Sequence, residues 1–244
     1  MTPMPAGERL APPPASVQHD RVRFAWLARL VGRLMMVYVR LVARTARAVG
    51  PPINQEQAIL AFWHEANLLV AVTAWKLRDD NRMVVFSTRG FRGIVMNTML
   101  EALGSAVIAL PAEGAAGRGE AASLSREMGR IGRSGWSLVV ACDGPFGPLR
   151  VAKPGVLIVA RESGLPVQPW AIAVRPPLRL RGRWDRHLVP LPFSRLRVYE
   201  GTPIRVGPRD RIKPILAGLQ AELDRLADTA DRKMGGARRP SEHE

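Results

Sequence analysis

The sequence predicts an α/β domain with a mainly parallel central sheet, flanked by helices and preceded by an amphipathic N-terminal helix. Apolar runs of strand length and helix length alternate from residue 58 to residue 174, the pattern that builds βαβ units. Residues 136–142, WSLVVAC, are continuously apolar, as a strand is when helices cover both of its faces. The chain has 244 residues, 47% hydrophobic and 23% charged, enough to bury one sizeable core without the composition of a disordered protein.

Residues 1–20 are rich in Pro and Ala, with Pro12-Pro13-Pro14, and read as a flexible tail. Residues 24–49 read as a helix. Arg29, Arg33, Arg40, Arg44 and Arg47 fall on one narrow stripe of it, and Leu, Val, Met, Ala, Phe, Trp and Tyr cover the rest. The arginines interrupt the segment too often for a span of roughly 20 apolar residues, and no small-residue cleavage site follows. Such a helix lies in a bilayer interface or packs on the domain's own core; both readings stand at this point. Gly50-Pro51-Pro52 is expected to end it.

Strands are then expected at 58–64, 82–88, 105–111, 136–142 and 166–174, with helices at 66–77, 94–103, 119–132 and 154–164 between them. Gly104 closes the second of these helices. A strand near 195–201 and a polar helix near 210–233 complete the domain. The expected organisation is a tail at 1–20, an interfacial helix at 21–50, the α/β domain at 51–233 and a disordered tail at 234–244.

Thirty-six Lys and Arg against 21 Asp and Glu leave a net charge of +15, which favours anionic partners. Aromatics are only 6%, so the stacking residues that bind single-stranded nucleic acid are scarce, and nucleic acid is not the expected partner. The single Cys142 excludes an internal disulfide framework. The four histidines at 19, 64, 187 and 243 show no metal-ligand spacing, so neither metal nor cofactor is expected.

In open α/β sheets, functional groups collect beyond the carboxyl ends of the strands. Three predicted strand ends carry chemistry: Trp63-His64-Glu65, the Gly/Ala-rich loop from Pro111 to Gly119 with Glu113 and Arg118, and Asp143-Gly144-Pro145-Phe146-Gly147-Pro148 followed by Arg150 and Lys153. The basic stretch from Arg175 to Arg186 reads as a solvated face or a bilayer-facing edge.

The blocks FWHEANLL (62–69), VACDGPFGPLRVAKPGVLIVARESGLPVQPWAI (140–172) and WDRHLVPLPFSR (184–195) resemble the lysophospholipid acyltransferase superfamily, closest to a small bacterial branch with an Asp-Gly-Pro-x-Gly-Pro motif. The resemblance implies transfer of an acyl chain from acyl-CoA or acyl carrier protein to a lipid hydroxyl, at the cytoplasmic face of a bacterial inner membrane. It makes His64 the general base, with Asp143 as a second catalytic residue. Arg89, Arg92, Arg118 and Lys153 would hold the acceptor's phosphate, with Gly144, Pro145 and Gly147 around it. The superfamily's first block runs His, four residues, then an acid, whereas the fifth position after His64 is Leu69. Members of the branch commonly lack this acid too, and Asp143 and Glu113 are the candidates to approach His64 from another strand end. Where the branch has Arg-Gly-Ser, this chain has Ala112-Glu113-Gly114. A non-catalytic lipid-binding role on the same fold is the alternative.

Overall fold

The structure, a computed structural model, describes residues 23–50, 56–77, 83–109, 118–144 and 146–233. The two expected tails, Pro145, and the loop carrying Ala112-Glu113-Gly114 lie outside them.

Period-two alternation on the central strand shows how the sheet is covered. In β2 (Ile59–Phe62), Leu60 and Phe62 enter one apolar core, while Ile59 and Ala61, with Trp63 after them, enter the other. The first core is built with α1 (Ala25–Thr45), α2 (Asn67–Leu77) and α3 (Gly90–Ala102). The second is built with α4 (Arg118–Arg133), α5 (Gly155–Ser163) and α6 (Ile212–Lys233). The sheet between them also holds β1 (Arg47–Val49), β3 (Met83–Ser87), β4 (Ala106–Ala109), β5 (Ser137–Ala141), β6 (Val167–Arg175) and β9 (Arg195–Glu200). Their order is β1-β9-β6-β2-β5-β3-β4, and every pairing is parallel except β6 with β9. This is the fold class the alternation predicts. A separate antiparallel pair, β7 (Leu178–Arg179) with β8 (Leu188–Val189), carries the loop 180–187 over the carboxyl end of β2.

The first helix is shorter than its sequence suggests. It stops at Thr45; Ala46 is extended (ψ 148°), and residues 47–49 pair in parallel with β9, Arg47 opposite Arg195. Arg47 therefore leaves the arginine stripe for a strand, because the edge of β9 offers a hydrogen-bonded ladder and the chain has already turned before Gly50-Pro51-Pro52. Arg40 also departs from the solvated stripe: its Nη2 donates to the carbonyl of Ala102 at 2.7 Å, at the C-terminus of α3 where a cation is favoured.

Three faces divide α1. Ala28, Gly32, Val39, Val42 and Ala43 are buried against α2 and α3. Arg29, Arg33 and Arg44 form an exposed cationic edge. Beside it Trp26, Leu30, Leu34, Val37 and Leu41 are open to solvent, Trp26 by 65% and Leu34 by 61%. The helix thus packs on the core and still presents an apolar strip.

Gly32 is the closest point of that packing. A Cβ there would stand 2.6 Å from the Val95 carbonyl oxygen and 2.7 Å from Thr98 Cβ. Gly32→Val is expected to destabilise the protein by about 1–3 kcal/mol, since the clash exceeds the gain in helix propensity. At this chain length each kcal/mol lowers the thermal midpoint by about 2–4 °C. An unchanged midpoint would mean that α1 is not seated on α3 through this glycine.

Candidate functional site

His64 follows β2 and opens a single 3₁₀ turn, His64–Ala66, that leads into α2. It keeps the parity of Leu60 and Phe62, so its ring meets the α1–α2–α3 side of the sheet. There it lines an elongated cavity of about 560 Å³ with Phe62, Leu68, Val85, Met96, Met99 and Leu103. The cavity runs beside β3 from Ser87 and Thr88 at the carboxyl end to Met83 at the amino end, about 13 Å by strand rise. Val31 and Met35 of α1 also line it, so the packed face of that helix forms part of its wall.

The imidazole has a carboxylate partner. His64 Nδ1 lies 2.9 Å from Oδ2 of Asp185, which is fully buried in the loop between β7 and β8. Arg183 donates to both oxygens of that carboxylate, Nε to Oδ1 at 2.8 Å and Nη2 to Oδ2 at 2.9 Å. Burial alone would raise the Asp185 carboxyl, but the Arg183 hydrogen bonds and the nearby imidazoles hold it at about 2. Asp185 is therefore ionised and only accepts, which places the His64 proton on Nδ1 and the lone pair on Nε2. Burial lowers the His64 pKa below its usual 6.5, with Asp185 opposing the shift, so the ring is neutral at pH 7.

Asp143, expected to act catalytically, is turned to the backbone. Its Oδ1 accepts the His64 N–H at 2.7 Å and its Oδ2 accepts the Arg150 N–H at 2.8 Å. Burial raises its pKa against these hydrogen bonds. The residue pins the start of the 3₁₀ turn to the loop after β5 and so sets where His64 stands. The glycines of that loop clear space for rings. A Cβ on Gly144 would meet His64 Cδ2 at 2.7 Å, and one on Gly147, at φ 79°, would meet Trp184 Cε3 at 2.7 Å. Trp184 in turn packs beside His64, with ring centroids 5.1 Å apart. Gly144→Ala is expected to displace the imidazole and lower turnover about 10–100-fold, with the thermal midpoint nearly unchanged. Wild-type turnover in this variant would show that the ring is not held against the loop.

Glu65 pairs with two arginines. It is buried, and it accepts Arg150 Nη2 at 2.5 Å on Oε1 and Arg179 Nη1 at 2.6 Å on Oε2. Arg179 also reaches Asp231 of α6 at 3.4 Å. Two cations of the basic stretch 175–186, Arg179 and Arg183, thus make ion pairs with buried carboxylates, Arg179 half-buried and Arg183 still exposed. Of the other expected cations, Arg92 lines the cavity and Arg89 is exposed at the start of α3. Lys153 is half-buried, with its N–H on the Cys142 carbonyl, and is not among the described residues lining the cavity. Arg118 begins α4, and its side chain lies outside the described residues.

Ligand atoms of His64, Asp185 and His187 lie within 4.8 Å of one another, a grouping that scattered histidines did not announce. His187 Nδ1 is 3.4 Å from Asp185 Oδ2. The Arg183 guanidinium already places a positive charge on both oxygens of Asp185, so the group suits proton transfer better than cation binding.

No family model and no curated protein matches the sequence. Among solved structures, the chain is similar to the 1-acyl-sn-glycerophosphate acyltransferase of Thermotoga maritima, with TM-score 0.49 and 14% identity over 86% of this chain and 82% of that one. A likeness this distant assigns no activity to the chain.

Proposed function

We propose that this protein is a membrane-surface O-acyltransferase that moves a fatty acyl chain from a thioester to the hydroxyl of a lysophospholipid or related lipid. The observation that carries the reading is the neutral His64 imidazole, oriented by ionised Asp185, on the wall of a long apolar cavity. A base with a free Nε2 lone pair suits a hydroxyl nucleophile, and an apolar cavity running away from it suits an acyl chain. The resemblance of the three sequence blocks points to the same chemistry.

In the proposed reaction Nε2 of His64 takes the hydroxyl proton as the oxygen attacks the thioester carbonyl carbon. The carbonyl π pair moves onto oxygen, giving a tetrahedral oxyanion. Its collapse re-forms the carbonyl and breaks the carbon–sulfur bond, and the departing thiolate recovers the proton from the imidazolium. Asp185 keeps the proton on Nδ1 at the start and stabilises the imidazolium between the two steps. Arg92 is the lining cation suited to the anionic acceptor.

The exposed strip of α1 with its arginine edge supports docking on an anionic membrane. No helix among the described residues is long and apolar enough to cross one. The deciding experiment supplies the purified protein with acyl-CoA or acyl carrier protein thioesters and a panel of lysolipids, with mass spectrometry of the products. A new ester is the expected result. Lipid binding with no ester from any pair would favour a non-catalytic lipid-binding protein.

A further inference from the structure

Phe193 is, among the described residues, the most exposed large apolar side chain, at 79%. Its backbone sits at φ 64°, a region that residues with bulky side chains avoid. The loop around it is nonetheless fixed. Its N–H donates to Thr45 Oγ1 at 3.2 Å, and the Pro190 carbonyl accepts the Tyr38 hydroxyl at 2.6 Å. The neighbouring Ser194 is fully buried, and its carbonyl accepts the Arg47 N–H at 2.9 Å. A held backbone in an unfavoured conformation thus presents a benzyl group to water. Nothing in the described core gains from this arrangement, whereas an external apolar phase would.

Its position says which phase. Thr45 is the last residue of α1, and at 100° per residue it lies within about 40° of Leu27, Leu34 and Leu41 around the helix. Those side chains are exposed, so Phe193 extends the same apolar strip past the helix end, from a loop about 150 residues away in sequence. Arg44 and Arg47 near the helix end, with Arg195 and Arg197 just after Phe193, are exposed around this segment and complement anionic headgroups.

We propose that Phe193 is a second membrane anchor, entering an anionic bilayer together with the α1 strip. It rests on the reading that this strip faces the membrane. One line of side chains on a helix lets the domain rock about the helix axis. An added point held by the β8–β9 loop ties the sheet to the same plane and limits that rotation.

Cys142 is buried, so Phe193→Cys and Leu34→Cys each offer one accessible thiol for an environment-sensitive fluorophore. Both labels are expected to shift to the blue when vesicles containing phosphatidylglycerol are added. A shift at 34 without one at 193 overturns the anchor and leaves the α1 reading intact; a shift at neither removes both. A blue shift at 193 that appears without vesicles as protein concentration rises would identify a protein interface and overturn the proposal. Phe193→Asn, which suits the left-handed backbone, is expected to keep or raise the thermal midpoint while weakening vesicle binding about tenfold. Undiminished binding by that variant overturns the anchor.

Discussion

Replacing His64 with alanine is expected to lower acyl transfer by a factor of about 10²–10⁴, with folding and vesicle binding retained. The ring is the cavity-lining imidazole held at hydrogen-bond distance from Asp185, His187 standing farther from that carboxylate at 3.4 Å, and its replacement leaves a hydroxyl that is a poor nucleophile at neutral pH. Its acid form is disfavoured by burial, so turnover in the wild type is expected to be full at pH 7 and to fall along an acid limb with a midpoint below 6.5. The stability consequence has the same direction. A histidine whose folded pKa is lowered binds its proton more readily when unfolded, so the folded state loses stability as pH falls below about 6.5. His187 is shifted the same way, also by burial. His64→Ala is therefore expected to be less acid-sensitive than the wild type while catalytically impaired. A variant that keeps wild-type turnover would remove the imidazole from the mechanism.

How much of this was readable beforehand depends on the range of the interaction. The strands and helices that form the sheet and its two covers each carry a local period, and they stand close to where the sequence puts them. The departures are short or borrowed. Residues 47–49 become a strand only because β9 lies beside them, and β7 and β8 have two residues each, too few to show a period. His64 is legible as a polar residue ending an apolar run. Asp185 is not, because it reaches the ring from 121 residues away and sits among arginines that look solvated. What hides it is charge cancellation: Arg183 and Arg179 read as unpaired cations until Asp185 and Glu65 are found beneath them. The glycines of the 143–148 loop are legible as turn residues, but their service to the His64 and Trp184 rings depends on a neighbour that local spacing does not reveal.

That hidden carboxylate gives the second large effect. Asp185 meets the imidazole that the acyl-transfer proposal makes the base, whereas Leu69, where the resemblance expects an acid, is fully buried in the core. As a positioning residue it acts through His64, and Asp185→Asn is expected to lower turnover by about 10²–10⁴. An amide can turn its NH₂ towards Nδ1, which would put the imidazole proton on Nε2 and remove the lone pair from the cavity side. It also takes away the charge that raises the His64 pKa, so the ring that remains is a weaker base. These two effects predict a signature that mere loosening of the loop would not produce: a lower plateau together with an acid limb displaced to lower pH. The ion pair between exposed Arg183 and buried Asp185 is broken at the same time, so some stability is lost as well, and turnover is to be compared at a temperature where the variant is folded. Asp185→Glu, which keeps the charge and displaces it by one methylene, is expected to recover part of the rate and return the acid limb towards that of the wild type. An Asp185→Asn enzyme with an unshifted limb and near-normal plateau would show that the acid orienting His64 lies elsewhere.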